Sequence, residues 1–111
     1  MFLKESAFVK LRVAVPVEAA EAIRTVLSEQ RAGVQGNYDS CSASYRQIGR
    51  FRPLKGANPT IGEVGKIEEV EEEMIETICH VERLKNVLDA VKKAHPYEEP
   101  VIDIFPRFDV Q

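Results

Sequence analysis

Residues 74–94, MIETICHVERLKNVLDAVKKA, change their hydrophobic period once, near Val81. Before that point Ile75, Thr77 and Cys79 alternate with Met74, Glu76 and Ile78, the period of two that a strand requires. After it Val81, Leu84, Val87, Leu88 and Val91 recur on one helical face, with Lys92 and Lys93 in the last turn, where the helix dipole favours cations. Pro96 ends the helix, and VIDIF (101–105) reads as a short strand closed by Pro106. The second half is thus strand, helix, strand.

The first half follows the same plan. FVKLRVAV (8–15) sets Val9, Leu11, Val13 and Val15 against Phe8, Lys10, Arg12 and Ala14. VEAAEAIRTVLSEQR (17–31) then places Ala19, Ile23, Val26, Leu27 and Gln30 on one helical stripe, and Gly33 stops it. NYDSCSASY (37–45) is the next strand, and RQIGRFRPLKGANPTIG (46–62) reads as a punctuated loop. The expectation is one domain over residues 1–111, with a long loop at about 46–65. The order β-α-β-loop-β-α-β satisfies the right-handed crossover rule as an α+β, ferredoxin-like βαββαβ sandwich. Its antiparallel sheet carries both helices on one face. The other face, with Phe8, Lys10, Arg12 and Ala14 on the first strand and Val101, Asp103 and Phe105 on the last, suits a second subunit.

Composition narrows the function classes. A net charge of −3 gives no general attraction for nucleic acid or an anionic membrane. No run approaches the roughly 20 apolar residues that span a bilayer. The charged start, MFLKESAFVKLRVAV, is unlike a signal peptide, and Cys41 and Cys79 read as reduced thiols, so the expected location is the cytoplasm. That net charge hides a split. Residues 40–62 hold Arg46, Arg50, Arg52 and Lys55 without an acid, whereas residues 63–76 hold Glu63, Glu68, Glu69, Glu71, Glu72, Glu73 and Glu76 against Lys66. Two readings stand: the basic loop neutralises the acidic strand, or its arginines grip an anion. The acidic run reads as a solvated face that blunts edge pairing. No phosphate-binding glycine motif occurs, and aromatics are too sparse for a single-strand nucleic-acid platform.

HPYEEP (95–100) is the densest group of chemistry-bearing residues. Pro96 and Pro100 push His95 and Glu99 out of helical conformation, so the segment is a stiff extended turn. It is either a structural corner, with Tyr97 packed across the helix end, or a site in which His95 with Glu98 or Glu99 binds a metal ion or polar ligand. His80, just before a helix, reads as a surface or capping residue, and each cysteine as a small buried hydrophobe.

Three motifs in this order, GNYDSCS (36–42), GRFRPLKGANPTIG (49–62) and HPYEEPVID (95–103), resemble the YqfO-type insert domain of the NGG-one-interacting-factor-three-like (NIF3-like) family. The resemblance runs from about Leu11 to Phe105. It implies a fold related to CutA and PII proteins, assembly as a homo-oligomer with a trimer favoured, and a regulatory or ligand-sensing role. The family's dinuclear metal site lies in its larger flanking domain. Tyr45, Arg46 and Gln47, and likewise Gln30 and Arg31, depart from the small residues usual there. The resulting expectation is a non-catalytic module for a small anion, metabolite or divalent metal ion, with a protein partner to regulate. Arg50 and Arg52 would grip anionic groups, and His95 and Glu98 would supply polar or metal contacts. Asn37, Asp39, Cys41, Tyr97 and Glu99 would complete the pocket. The alternatives are a metal-dependent hydrolase using His95 and Glu98 or Glu99 across a subunit interface, and a purely structural assembly domain.

Overall fold

The structure, a computed structural model, describes residues 1–110. Its elements run β1 (Leu3–Pro16), α1 (Ala20–Glu29), β2 (Ala43–Phe51), β3 (Glu68–His80), α2 (Leu84–Ala94) and β4 (Val101–Val110). A 3-10 turn precedes each helix. The strands form one sheet in the order β2-β3-β1-β4, with every neighbour antiparallel. The expected α+β sandwich is therefore the observed one.

The register assigns each side chain to a face. Val13 pairs with Ile75 and Ile102, and Leu11 with Thr77 and Ile104. This face meets Ala20, Ile23 and Leu27 of α1 and Val87 and Val91 of α2 in one buried cluster. Each fully buried valine, leucine or isoleucine of this cluster contributes roughly 1.5–3 kcal/mol by leaving water. The helix-free face carries Phe8, Lys10, Arg12 and Ala14 of β1 opposite His80, Ile78, Glu76 and Met74 of β3. Val101, Asp103 and Phe105 of β4 continue it, as the alternation predicts. His80 caps the turn before α2, its Nδ1 accepting from the Glu82 amide at 3.1 Å. Val81 falls in that turn and is half exposed rather than on the helix's buried stripe.

The strands differ from expectation at their ends. β2 lies at 43–51 instead of 37–45, so Arg46 to Phe51 are strand and the loop begins at Arg52. The charges and Gly49 that read as loop are those of an edge strand laid on an acidic neighbour. Arg46 approaches Glu73 at 3.7 Å and Arg50 approaches Glu69 at 3.5 Å. The neutralising reading holds for these two arginines. β3 starts at Glu68, and the acidic run blunts no edge: Glu63, Glu69 and Glu71 are solvated as expected, but Glu72 and Glu73 are not. β3 is an interior strand, with Glu72 and Glu73 only 5% and 8% exposed. β4 passes through Pro106, because an edge strand can spare the missing amide. β1 extends back to Leu3 to pair with that longer β4, with a register irregularity between Glu5 and Val9.

Candidate functional site

The loop after β2 folds over the helix-free face and meets the turn that follows α2. Two contacts latch them: the Asn58 amide donates to the Glu98 carboxylate at 3.3 Å, and the Thr60 hydroxyl donates to the Pro96 carbonyl at 2.6 Å. Beneath lies a cleft of about 450 Å³, within the size range of small-molecule sites. Ala14, Met74 and Gly49 form its sheet side, Phe51, Pro53, Leu54 and Ile61 its apolar walls, and Tyr97, Glu98 and Glu99 its far side.

His95 stands behind this wall rather than in it. Its Nε2 lies 2.7 Å from the Ala14 carbonyl, which only accepts, so Nε2 carries the proton. Its Nδ1 accepts from the Tyr97 amide at 3.1 Å. The geometry selects one neutral tautomer and occupies both ring nitrogens. Burial pushes the His95 pKa below its ordinary 6.5, against the Ala14 bond and the nearby Glu72 charge. The imidazole therefore ties the turn to β1.

Tyr97 is the link inward. Its hydroxyl donates to Glu72 Oε2 at 2.8 Å, while Gln47 Nε2 donates to Glu72 Oε1 at 3.0 Å. Burial first, and then Glu72, pushes the Tyr97 pKa well above its ordinary value. Gly49 makes the arrangement possible. A Cβ there would meet the Glu72 carboxylate within 3.0 Å, so only glycine lets it lie against the β2 backbone.

The expected pocket residues divide between two places. Arg50, Arg52, Tyr97, Glu98 and Glu99 line the cleft. Asn37, Asp39 and Cys41 do not; they belong to the segment before β2, on the helix side of the sheet. There the Cys41 amide donates to the Gly33 carbonyl, and its own carbonyl accepts from Thr77 Oγ1 at 2.7 Å. Gly33 has a φ of +77°, and a Cβ on it would strike the Cys41 carbonyl, so of the GNYDSCS motif Cys41 is the residue packed at this crossing. Asp39 pairs with Arg31 at 3.3 Å. Cys41 borders a separate hollow of about 370 Å³ beside α1. Cys79 is buried in the core as expected, whereas Cys41 is partly exposed. No group of three or more His, Cys, Asp or Glu side chains placed to hold a metal ion occurs among the described residues.

Sequence reasoning missed Glu72, Gln47 and Gly49. Glu72 shares the face of Met74 by simple alternation. Extending the strand two residues into the acidic run would have found it.

Sheet order and helix placement define an α+β fold of the CutA/PII-like kind. The periplasmic divalent cation tolerance protein CutA from Archaeoglobus fulgidus superposes with a TM-score of 0.65 over 90% of this chain and 83% of its own, at 24% identity. The particular kinship is with NIF3-related proteins. A Bacillus cereus protein related to NIF3 matches with a TM-score of 0.79 and 37% identity, over 96% of this chain and 27% of its own. The GTP cyclohydrolase 1 type 2 homolog of Bacillus subtilis is 46% identical over 97 residues, covering 87% of this chain and 26% of that protein. No protein-family profile matches the chain. The resemblance carried by the three motifs holds: the chain is similar to one segment of these NIF3-related proteins. It spans about a quarter of the length of the curated relatives it matches.

Proposed function

We propose that the chain is a small-molecule-binding regulatory module, homo-oligomeric and without catalytic activity of its own, whose ligand occupies the cleft between the sheet and the 52–61 loop. The observation that carries this reading is a formed cleft built from three separated chain segments and held by specific side-chain latches. A loop bound this way has two arrangements, latched and released, and a ligand that prefers one can signal to a partner. A hydrolase built on His95 would need a lone pair on its ring, and both nitrogens are already engaged by backbone. A metal held by His95 and Glu98 meets the same obstacle. A trimer is the assembly proposed, with the apolar part of the helix-free face and β4 as the surface it covers. Phe105, Val101 and Phe108 are exposed there.

Native mass spectrometry of freshly purified protein tests the binding reading. The expected result is an oligomer carrying a reproducible small extra mass. That mass should vanish in Ala57→Trp, which fills the cleft from the loop side, while the oligomer persists. An extra mass unchanged in this variant would place the ligand elsewhere. A bare protein that also takes up no compound from a fragment mixture would overturn the reading.

A further inference from the structure

Glu72 is the group in the cleft that its surroundings explain least. It lies on the floor, 5% exposed, yet its two recorded partners, Gln47 and Tyr97, are neutral donors. No lysine, arginine or histidine nitrogen forms a salt bridge with it among the described residues. Its neighbour Glu73, buried on the opposite face, has both Arg24 and Arg46. A buried carboxylate without a counter-charge is costly, and each of its oxygens can accept a further hydrogen bond.

We infer that the cleft binds an organic cation, a protonated amine or amidinium on an apolar body, with its N–H groups donated to Glu72. This rests on the cleft being the ligand site and names the ligand's class. The walls suit the body: Met74, Phe51, Leu54 and Ile61 offer apolar contact and no further buried charge. A divalent metal ion is disfavoured because it takes several oxygen ligands, and Glu72 stands without two more carboxylates around it. The rim does not reverse the sign. Arg50 pairs with Glu69, on the face opposite Glu72 by the strand register, and Glu98 and Glu99 line the cleft together with Arg52. An anion entering the cleft would have to place its charge against the Glu72 carboxylate.

The test uses three probes of one shape, benzamidine (cationic), benzamide (neutral) and benzoate (anionic), titrated at millimolar concentration into the ¹⁵N-labelled full chain. Amide shifts at Gly49, Met74 and Tyr97 report binding. Benzamidine is expected to bind at least about tenfold more tightly than benzamide, with benzoate weakest, the ratio a charge-assisted hydrogen bond gives. Glu72→Gln should remove that preference without losing the folded spectrum. Tyr97→Phe, which keeps the carboxylate and frees Oε2, should retain it. Equal binding of all three probes, a preference for benzoate, or a benzamidine preference that survives Glu72→Gln would overturn the inference while leaving the cleft as a binding site. No cleft shift with any probe would overturn both.

Discussion

At the scale of single residues, the cleft wall is held by a side chain that does not line it. His95 uses one nitrogen to hold Ala14 and the other to receive Tyr97, and so sets where the Tyr97 hydroxyl meets Glu72. This arrangement has a pH signature. Because the folded pKa lies below 6.5, the unfolded chain takes up a proton that the folded chain refuses as pH falls below that value. His95 therefore stabilises the fold above about pH 6.5, and that contribution is lost progressively down to the lower folded pKa. Urea unfolding at pH 7.5 and 5.5 should show the wild type losing more stability than His95→Gln over that interval. An equal loss in both would assign the dependence to the carboxylates instead. At pH 7.5 His95→Ala should cost roughly 1–3 kcal/mol, the cost of an unsatisfied buried acceptor.

At the scale of elements, the 52–65 loop is the mobile candidate and the sheet the fixed one. The loop touches the 95–100 turn through the Asn58 and Thr60 hydrogen bonds, both at exposed positions. Such contacts are worth about 0.5–1.5 kcal/mol each. Replacing Thr60 by Val and Glu98 by Gln together should speed hydrogen exchange of the loop amides by about tenfold. The interior β3 amides from Met74 to Cys79 should be unaffected. If β3 exchange rises equally, the latch belongs to global stability and the loop does not open by itself. β2 and β3 illustrate a related point: Arg46 opposite Glu73 and Arg50 opposite Glu69 turn two unlikely strand sequences into a matched pair. Neither segment is a convincing strand alone.

At the scale of the whole molecule, the sheet is covered by helices on one side only. The loop shelters the Met74 end of the other side, while Phe105 (41% exposed) stays open there and Ile104 (44%) and Phe108 (61%) stay open on the opposite side of edge strand β4. An edge strand of ten residues with this much apolar surface invites a neighbour. Light scattering coupled to size exclusion should therefore give a trimer. Phe105→Glu should shift it to monomer with little change in the far-ultraviolet spectrum, since this ring lies outside the core. A monomeric wild type at micromolar concentration would remove the oligomer from the proposed function. No helix is long and apolar enough to cross a membrane among the described residues.

The order of elements was legible because two stretches, 8–31 and 74–94, each change from a period of two to a period of 3.6. Local periodicity also places Leu11, Val13, Ile75, Ile23, Val87 and Val91 in the core, where they are found. The HPYEEP turn was legible as a rigid feature because proline acts on its own neighbours. What the chain text did not contain was the pairing of distant segments. Whether Arg46 to Phe51 are loop or strand depends on Glu68 to Glu73 lying alongside. Whether Glu72 faces water or a cleft floor depends on the 52–61 loop above it and Gly49 beside it. The same holds for GNYDSCS, whose Cys41 is held on the helix side by Gly33 and Thr77, both distant from the 95–100 turn in sequence. Periodicity and backbone stiffness are properties of neighbours in sequence, so the sequence by itself determines the elements and their apolar faces. Burial of a charge and the closing of a cleft are properties of neighbours in space, and only the tertiary structure decided those.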